Sequence, residues 1–227
     1  MRANPRAPIR VVAYGDRALL IEVDAEQTGP TEPGRARGAE PDTVLGLFRA
    51  LDRDRPPGVV DIVPAARTIA VVVDPRVLSL AAARGWIERT APEPALAASH
   101  EVVELPVRYD GDDLVEVAAL LGITPREVAE RHSASRWRVA FGGFAPGFAY
   151  LVTDHDGLHV PRRATPRTAV PAGSVGLAGA FSGVYPRSSP GGWQLIGRTD
   201  AVLWDAAADA PALLRPGVEV RFVPVAP

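Results

Sequence analysis

The sequence predicts an α+β fold: a small two-layer α/β domain over residues 1–98, then a compact β-barrel or sandwich over residues 99–227, with a helical pair at 112–133 ahead of its strands. Three observations carry that expectation. The first half reads strand–strand–helix–strand–strand–helix, an order that covers a sheet with helices. Residues 91–99 (APEPALAAS) then break the pattern with proline and small residues and read as a linker. From Trp137 onward helical periodicity vanishes, and short strand-like runs recur between Pro/Gly turns.

In order, residues 17–23 (RALLIEV) have strand character after a Tyr14-Gly15-Asp16 turn. Residues 26–42, rich in Gly, Pro and Glu, read as a mobile loop. The apolar spacing of 43–51 (TVLGLFRAL) predicts a helix with Asp42 as its N-cap. Residues 59–63 and 68–73 read as paired strands about a turn at Pro64, and 78–89 as a second helix closed off by Pro92 and Pro94. A strand at 101–107 precedes helices at 113–121 and 125–132. The second of these opens on Thr124-Pro125-Arg126-Glu127: a capping hydroxyl, a proline in the first turn and a glutamate placed to complete a capping box. The phrase VAALLGITPREVAERH also has the look of a DNA-binding helix-turn-helix. Its second helix, however, sets Glu127 and Glu130 beside Arg126 and Arg131, and phosphate contacts need a basic face. A plain helical hairpin is the better reading. Further on, the strand-like runs are WRVAF, GLHV, WQLIG, AVLW and VEVRFV, the last after a Pro216-Gly217 turn.

Composition narrows the chemistry. With 47% hydrophobic and 23% charged residues and a net charge of −2, the chain reads as soluble and globular, without the charge footprint of a nucleic-acid binder. No apolar run approaches the ~20 residues of a membrane span, and the N-terminus lacks the apolar core of a secretory signal. There is no cysteine, so a cytoplasmic setting is expected, and thiol nucleophiles and Cys-ligated metals are excluded. All 25 basic residues are arginine. That removes a Walker-A lysine, a Schiff-base lysine, a Ser–Lys dyad and a biotin-carrying lysine together.

His155 and His159 have helical metal-ligand spacing, but Gly157 puts a turn between them and no third ligand is near, so no metal is expected. His132 closes a helix, where either a dipole-favoured imidazolium or a site role would fit. Ser174 lies outside a nucleophile elbow, and Gly173, Gly176 and Gly179 match no phosphate loop and read as close backbone packing. More informative is PRRATPRTAVPAG, residues 161–173. Arg162, Arg163 and Arg167, with Thr165 and Thr168, put forked cations and hydroxyls on a proline-stiffened segment suited to carboxylate or phosphate. The competing reading is a solvated loop. SPGGWQLIGRT, residues 189–199, adds Trp193, Gln194 and Arg198 on or beside a strand that could face the same pocket. FGGFAPGFAYL, residues 141–151, has too much glycine for a strand interior and too much aromatic surface for a solvent loop. Either Phe144, Phe148 and Tyr150 form an apolar rim or docking surface, with the glycines letting backbone come close to a ligand or partner, or a bulged strand buries the rings.

These three segments, in order and spacing, resemble the signature of the family of 5-oxoprolinase B subunits, which also goes under the names allophanate hydrolase subunit 1 and Kip-type sporulation-kinase inhibitor. YGDRALLIEV, GVVDIVPAARTIAVVVDP and LRPGVEVRFVPV extend the resemblance over nearly the whole chain. The resemblance implies that the second domain is a cyclophilin-like β-barrel. It implies partners as well: the carboxyltransferase-like C component of 5-oxoprolinase and its A component. The implied reaction is ATP-dependent hydrolysis of the 5-oxo-L-proline lactam to L-glutamate. An allophanate-hydrolase-type subunit, or an inhibitor docked on a sensor histidine kinase, are the alternatives it leaves open. Barrel shape alone also suggests a prolyl isomerase, but fold does not confer function.

A chain without phosphate loop, thiol, lysine or serine triad offers no equipment for activating the lactam alone, and its catalytic residues are left unassigned. No cofactor is expected on this chain, and ATP is expected on a partner subunit. The expected substrate-binding residues are Arg162, Arg163, Arg167, Thr165, Phe144, Pro146, Gly147, Gln194, Arg198 and His132. One departure stands out: the family's AGNQTGIYP is AGAFSGVYP here, with Ala180 and Phe181 replacing an amide pair. If those amides touch substrate, another lactam or ureido acid is preferred or activity is lost.

Overall fold

The computed structural model describes residues 9–23, 39–93 and 101–226, and the chain divides into two compact units, Met1–Ala97 and Ala98–Pro227. The expected loop up to residue 38, and residues 94–99 of the expected linker, lie outside the described residues. Among the described residues no helix is long and apolar enough to cross a membrane.

The first unit comprises β1 (Ile9–Ala13), β2 (Ala18–Val23), α1 (Ala39–Arg53), β3 (Val59–Pro64), β4 (Thr68–Val73) and α2 (Leu80–Arg89). Its sheet has the order β1-β2-β4-β3, antiparallel throughout. Period-two alternation sends Leu19, Ile21 and Val23 of β2 and Ile69, Val71 and Val73 of β4 into one core. There they meet Val44, Leu47 and Leu51 of α1 and Ala83 and Ile87 of α2. The Ser79 hydroxyl caps α2 by accepting from the Ala82 N–H. Helix α1 starts at Ala39, so Asp42 falls inside it and does not cap it.

The second unit runs β5 (Val102–Val107), α3 (Leu114–Leu121), α4 (Pro125–Ala134), β6 (Trp137–Gly142), β7 (Ala149–Val152), β8 (Arg167–Val170), β9 (Ser174–Ala178), β10 (Phe181–Val184), β11 (Ser189–Gly191), β12 (Gln194–Arg198) and β13 (Glu219–Pro224). Seven strands form a sheet of order β12-β9-β10-β7-β6-β13-β5, with β13 and β5 parallel. The sheet curls until its two ends meet: Arg108 and Arg198 exchange backbone hydrogen bonds of 2.9 Å in each direction. The result is a nearly closed barrel filled by Val139, Leu151, Val175, Leu177, Ile196, Val220 and Phe222, among others. Strands β8 and β11 pair as a separate ribbon.

Two runs expected as strands are not strands. Residues 157–160 contribute only a bridge between Val160 and Gly179, and residues 201–204 only one between Trp204 and Ala212. Each is too tightly flanked by turns to extend a ladder. The helical pair is a hairpin, as expected, and its capping box is complete: Glu127 N–H donates to Thr124 Oγ1 and Thr124 N–H donates to Glu127 Oε2. Val117, Ala118 and Val128 spend its apolar side on the barrel core.

His132 corrects the sequence reading. It lies before the end of α4 and is 0% exposed, with its ring between Trp137 and Phe222 at centroid distances of 5.1 and 4.3 Å. Its Nδ1 and Nε2 each share a 2.8 Å hydrogen bond, with Tyr109 Oη and Ser182 Oγ. Burial holds it neutral, with its pKa pushed down from 6.5 to about 3. It therefore neither complements the helix dipole as a cation nor reaches a ligand. Because the folded value is the lower one, the unfolded chain takes up the proton first on acidification. The contribution is full above about pH 6.5 and is lost as pH falls toward about 3. The slope is about 1.4 kcal/mol per pH unit. Urea midpoints at pH 5.5 and 4.5 should fall more steeply for the wild type than for His132→Gln; equal slopes would refute the buried neutral state.

Candidate functional site

The site is built where the barrel closes. Strand β12 is an edge strand, and the Arg108–Arg198 bridge joins it to the end of β5. Beside that bridge Asp113 stands in for a missing strand partner. Its N–H donates to Leu195 O at 2.9 Å, and its Oδ2 accepts the Leu195 N–H at 2.7 Å. This approach requires glycine at 111, where a Cβ would lie 2.4–2.5 Å from backbone atoms of Leu195, Ile196 and Gly197.

Asp113 occupies the N-cap position of α3 yet makes no side-chain cap bond, because its other oxygen is also committed. Asp113 Oδ1 accepts from Arg163 Nη1 at 2.5 Å and from Arg167 Nη2 at 2.7 Å. Asp113 as a whole is only 2% exposed. Burial raises its pKa. The Arg167 hydrogen bond, the Leu195 N–H and the charges of Arg167 and Arg163 outweigh that and leave it below the ordinary value. The same Asp113 hydrogen bond raises the pKa of Arg167. Two guanidinium groups thus share one buried carboxylate. Glu116 and Asp112 stand at the rim, at 3.6 Å from Arg163 and 3.9 Å from Arg167, with side chains 57% and 79% exposed.

Each arginine keeps a donor in reserve. Among the described residues four buried side-chain polar atoms lack a partner, and three belong here: Arg163 Nε, Arg167 Nη1 and Gln194 Oε1. Gln194 cannot simply flip, since its Nε2 donates to Pro161 O at 3.4 Å. Arg163 N–H donates to Gly192 O at 2.8 Å, tying the arginine segment to the chain entering β12. An unpaired buried group costs about 1–3 kcal/mol, and a ligand with anionic oxygens would satisfy the two guanidinium donors.

An aromatic layer adjoins the cluster. Strand alternation sends Ala149 and Leu151 into the barrel and Phe148 and Tyr150 to the opposite face. There Phe148 meets Tyr185 and Trp193, each at 5.4 Å, and Tyr150 stacks on Phe141 at 4.4 Å. Both Phe148 and Trp193 lie over Gly183, where a Cβ would be 3.1 Å from each ring. Burial pushes the Tyr185 phenol up, and a hydrogen bond with the Trp193 backbone and the charges of Arg162 and Arg167 offset part of that. FGGFAPGFAYL is therefore the end of β6, a tight turn and β7. At its tip Phe144 is 58% exposed with φ +67°, a left-handed backbone rare for a bulky residue, and sits edge-on to Phe148 and Tyr185.

Of the expected residues, the fold brings Arg163, Arg167 and Gln194 together. Phe144, Pro146 and Gly147 form the turn at the edge of the aromatic layer, and Arg162 and Thr165 are exposed on the connecting segment. Arg198 goes elsewhere: it donates to Asp110 at 2.6 Å and lines a groove of about 370 Å³ with Arg108, Thr199 and Asp200, which includes none of the cluster. Phe181 belongs to the layer, edge-on to Phe141 and Tyr150 at 5.9 and 5.6 Å, while Ala180 is exposed. Sequence reasoning missed Asp113. The only signal was the acidic pair Asp112-Asp113 before a helix, which looks like an ordinary N-terminus.

Fold and site together define a barrel module that presents paired cations beside an aromatic wall. The contact of Ser182 with His132 is sealed in the core and is no part of that wall. The chain belongs to the family described as carboxyltransferase domain, subdomain C and D, whose model matches residues 9–214. It is 48% identical over 223 residues to the 5-oxoprolinase B subunit of Escherichia coli O157:H7, covering 95% of each chain. The protein of the same name from Bacillus subtilis (strain 168) is 37% identical over 233 residues, covering 94% of this chain and 92% of that one. The crystal structure of TTHA0988 matches with a TM-score of 0.75 at 37% identity, over 93% of this chain. This chain spans 40% of that longer one.

Proposed function

We propose that this chain is the substrate-binding subunit of an ATP-dependent 5-oxoprolinase, which hydrolyses the lactam of 5-oxo-L-proline to L-glutamate in the cytoplasm. The observation that carries the reading is the set of unpaired buried atoms, Arg163 Nε, Arg167 Nη1 and Gln194 Oε1. 5-Oxoproline offers a carboxylate to guanidinium donors and a lactam N–H to an amide oxygen. The relatives named as 5-oxoprolinase B subunits, similar along almost their full length, support the same reading.

A planar lactam is a hard bond to hydrolyse, and activation by ATP needs phosphate-handling groups. Without lysine or cysteine, this chain is expected to supply the substrate's carboxylate-binding wall. The nucleotide site then lies on a partner, either the carboxyltransferase-like C component or the A component. Glutamate release from 5-oxoproline and ATP, measured on this chain co-purified with its neighbouring subunits, tests the proposal. Release should stop when this chain is omitted. A stable complex that releases no glutamate would refute 5-oxoproline as the substrate and direct attention to Phe181 and another cyclic amide or ureido acid. Failure to form a complex would favour the kinase-inhibitor reading.

A further inference from the structure

We infer that Asp113 is the positioning residue of this site: it aims the Arg163 and Arg167 guanidinium groups at the substrate carboxylate without touching substrate itself. The inference rests on the proposed function and adds a residue that the arginine motif does not contain. Its basis is a division of labour within one carboxylate. Oδ2 is fixed to the barrel wall by the Leu195 N–H, and the Asp113 N–H fixes the same residue through its carbonyl. That leaves Oδ1 as a rigid post, and both guanidinium groups bind it.

The arrangement differs from a structural ion pair in two respects. A structural pair satisfies its members, whereas here Arg163 Nε and Arg167 Nη1 stay buried and unpaired. The Asp113 carboxylate also forgoes the cap of α3, one oxygen being spent on the barrel wall and the other on the two arginines. The post also fixes the charge. Both guanidinium groups are held on that one carboxylate, with the Glu116 and Asp112 carboxylates 3.6 and 3.9 Å away and largely in solvent. A ligand carboxylate then meets donors already oriented, and loses little freedom in aligning them.

Asp113→Asn preserves shape and removes the charge that collects both arginines. In the assembled complex the expected result is a KM for 5-oxoproline raised tenfold or more, with kcat within threefold of wild type. A merely structural role would lower folded yield and leave KM unchanged, and that outcome, like unaltered kinetics, would overturn the inference. The second measurement needs no variant to fold: in the ¹⁵N-arginine-labelled full-length wild-type chain, two guanidinium groups should rotate slowly. Free rotation of every guanidinium would overturn the positioning role alone. A wild-type complex that does not turn over 5-oxoproline would instead sink the function reading, and the positioning role with it.

Discussion

Arg167→Ala is expected to lower kcat/KM for 5-oxoproline by roughly 10- to 150-fold in the assembled complex. That corresponds to about 1.5–3 kcal/mol, the range for a hydrogen bond to a charged group. Arg167 has one terminal nitrogen on Asp113 and the other buried without a partner, so the truncation removes the unpaired donor together with the ion pair. It also leaves Asp113 with a single guanidinium, which loosens the site and adds to the loss. Arg167→Lys separates the two effects, since an ammonium can still pair with Asp113 but has no fork to offer a second oxygen. If lysine restores stability and not activity, the free donor carries the binding. Unchanged kinetics in the alanine variant would remove Arg167 from the site.

Gly111→Ala should destabilise the protein by about 3 kcal/mol, the upper end for forcing extra volume into a packed position. The added methyl would meet Leu195 O, Gly197 N and Ile196 C at 2.4–2.5 Å, and all three are backbone atoms that cannot rotate away. Either the chain before α3 moves off β12 or the closing bridge breaks. Gly142→Ala is the matched control, since its nearest neighbour would be Phe148 O at 3.7 Å. Urea unfolding of both variants reads the difference. A Gly111 variant as stable as the Gly142 one would mean that the seam is not closed as described.

Much of the first unit was legible in the sequence, because β2 and β4 have one buried and one open face and so alternate visibly. The capping box of α4 was equally plain, since all its parts are local. The strands from β7 to β11 were not. They are three to five residues long, and β9 is buried at every position, so no alternation exists to be read. The site divided in the same way. Arginine-rich residues 161–173 pointed to anion chemistry, but the carboxylate that organises them lies 50 positions upstream of Arg163, and only the barrel's closure joins the two. His132 misled because a histidine near a helix end looks exposed in sequence, while here it faces the core from α4. Arg198, the last residue of β12, turns to Asp110 and lies apart from the arginine pair, which its place on the strand does not reveal.

Closure by Asp113 also makes one rung of the barrel wall a side chain. Elsewhere around the wall, neighbouring strands meet through backbone pairs. At Leu195 one of the two bonds to Asp113 runs to its carboxylate and the other to its backbone N–H, and that carboxylate also holds the two arginines in place. The side-chain rung of the seam and the anchor of the two arginines are therefore one carboxylate, so a pull on the arginines is a pull on the wall.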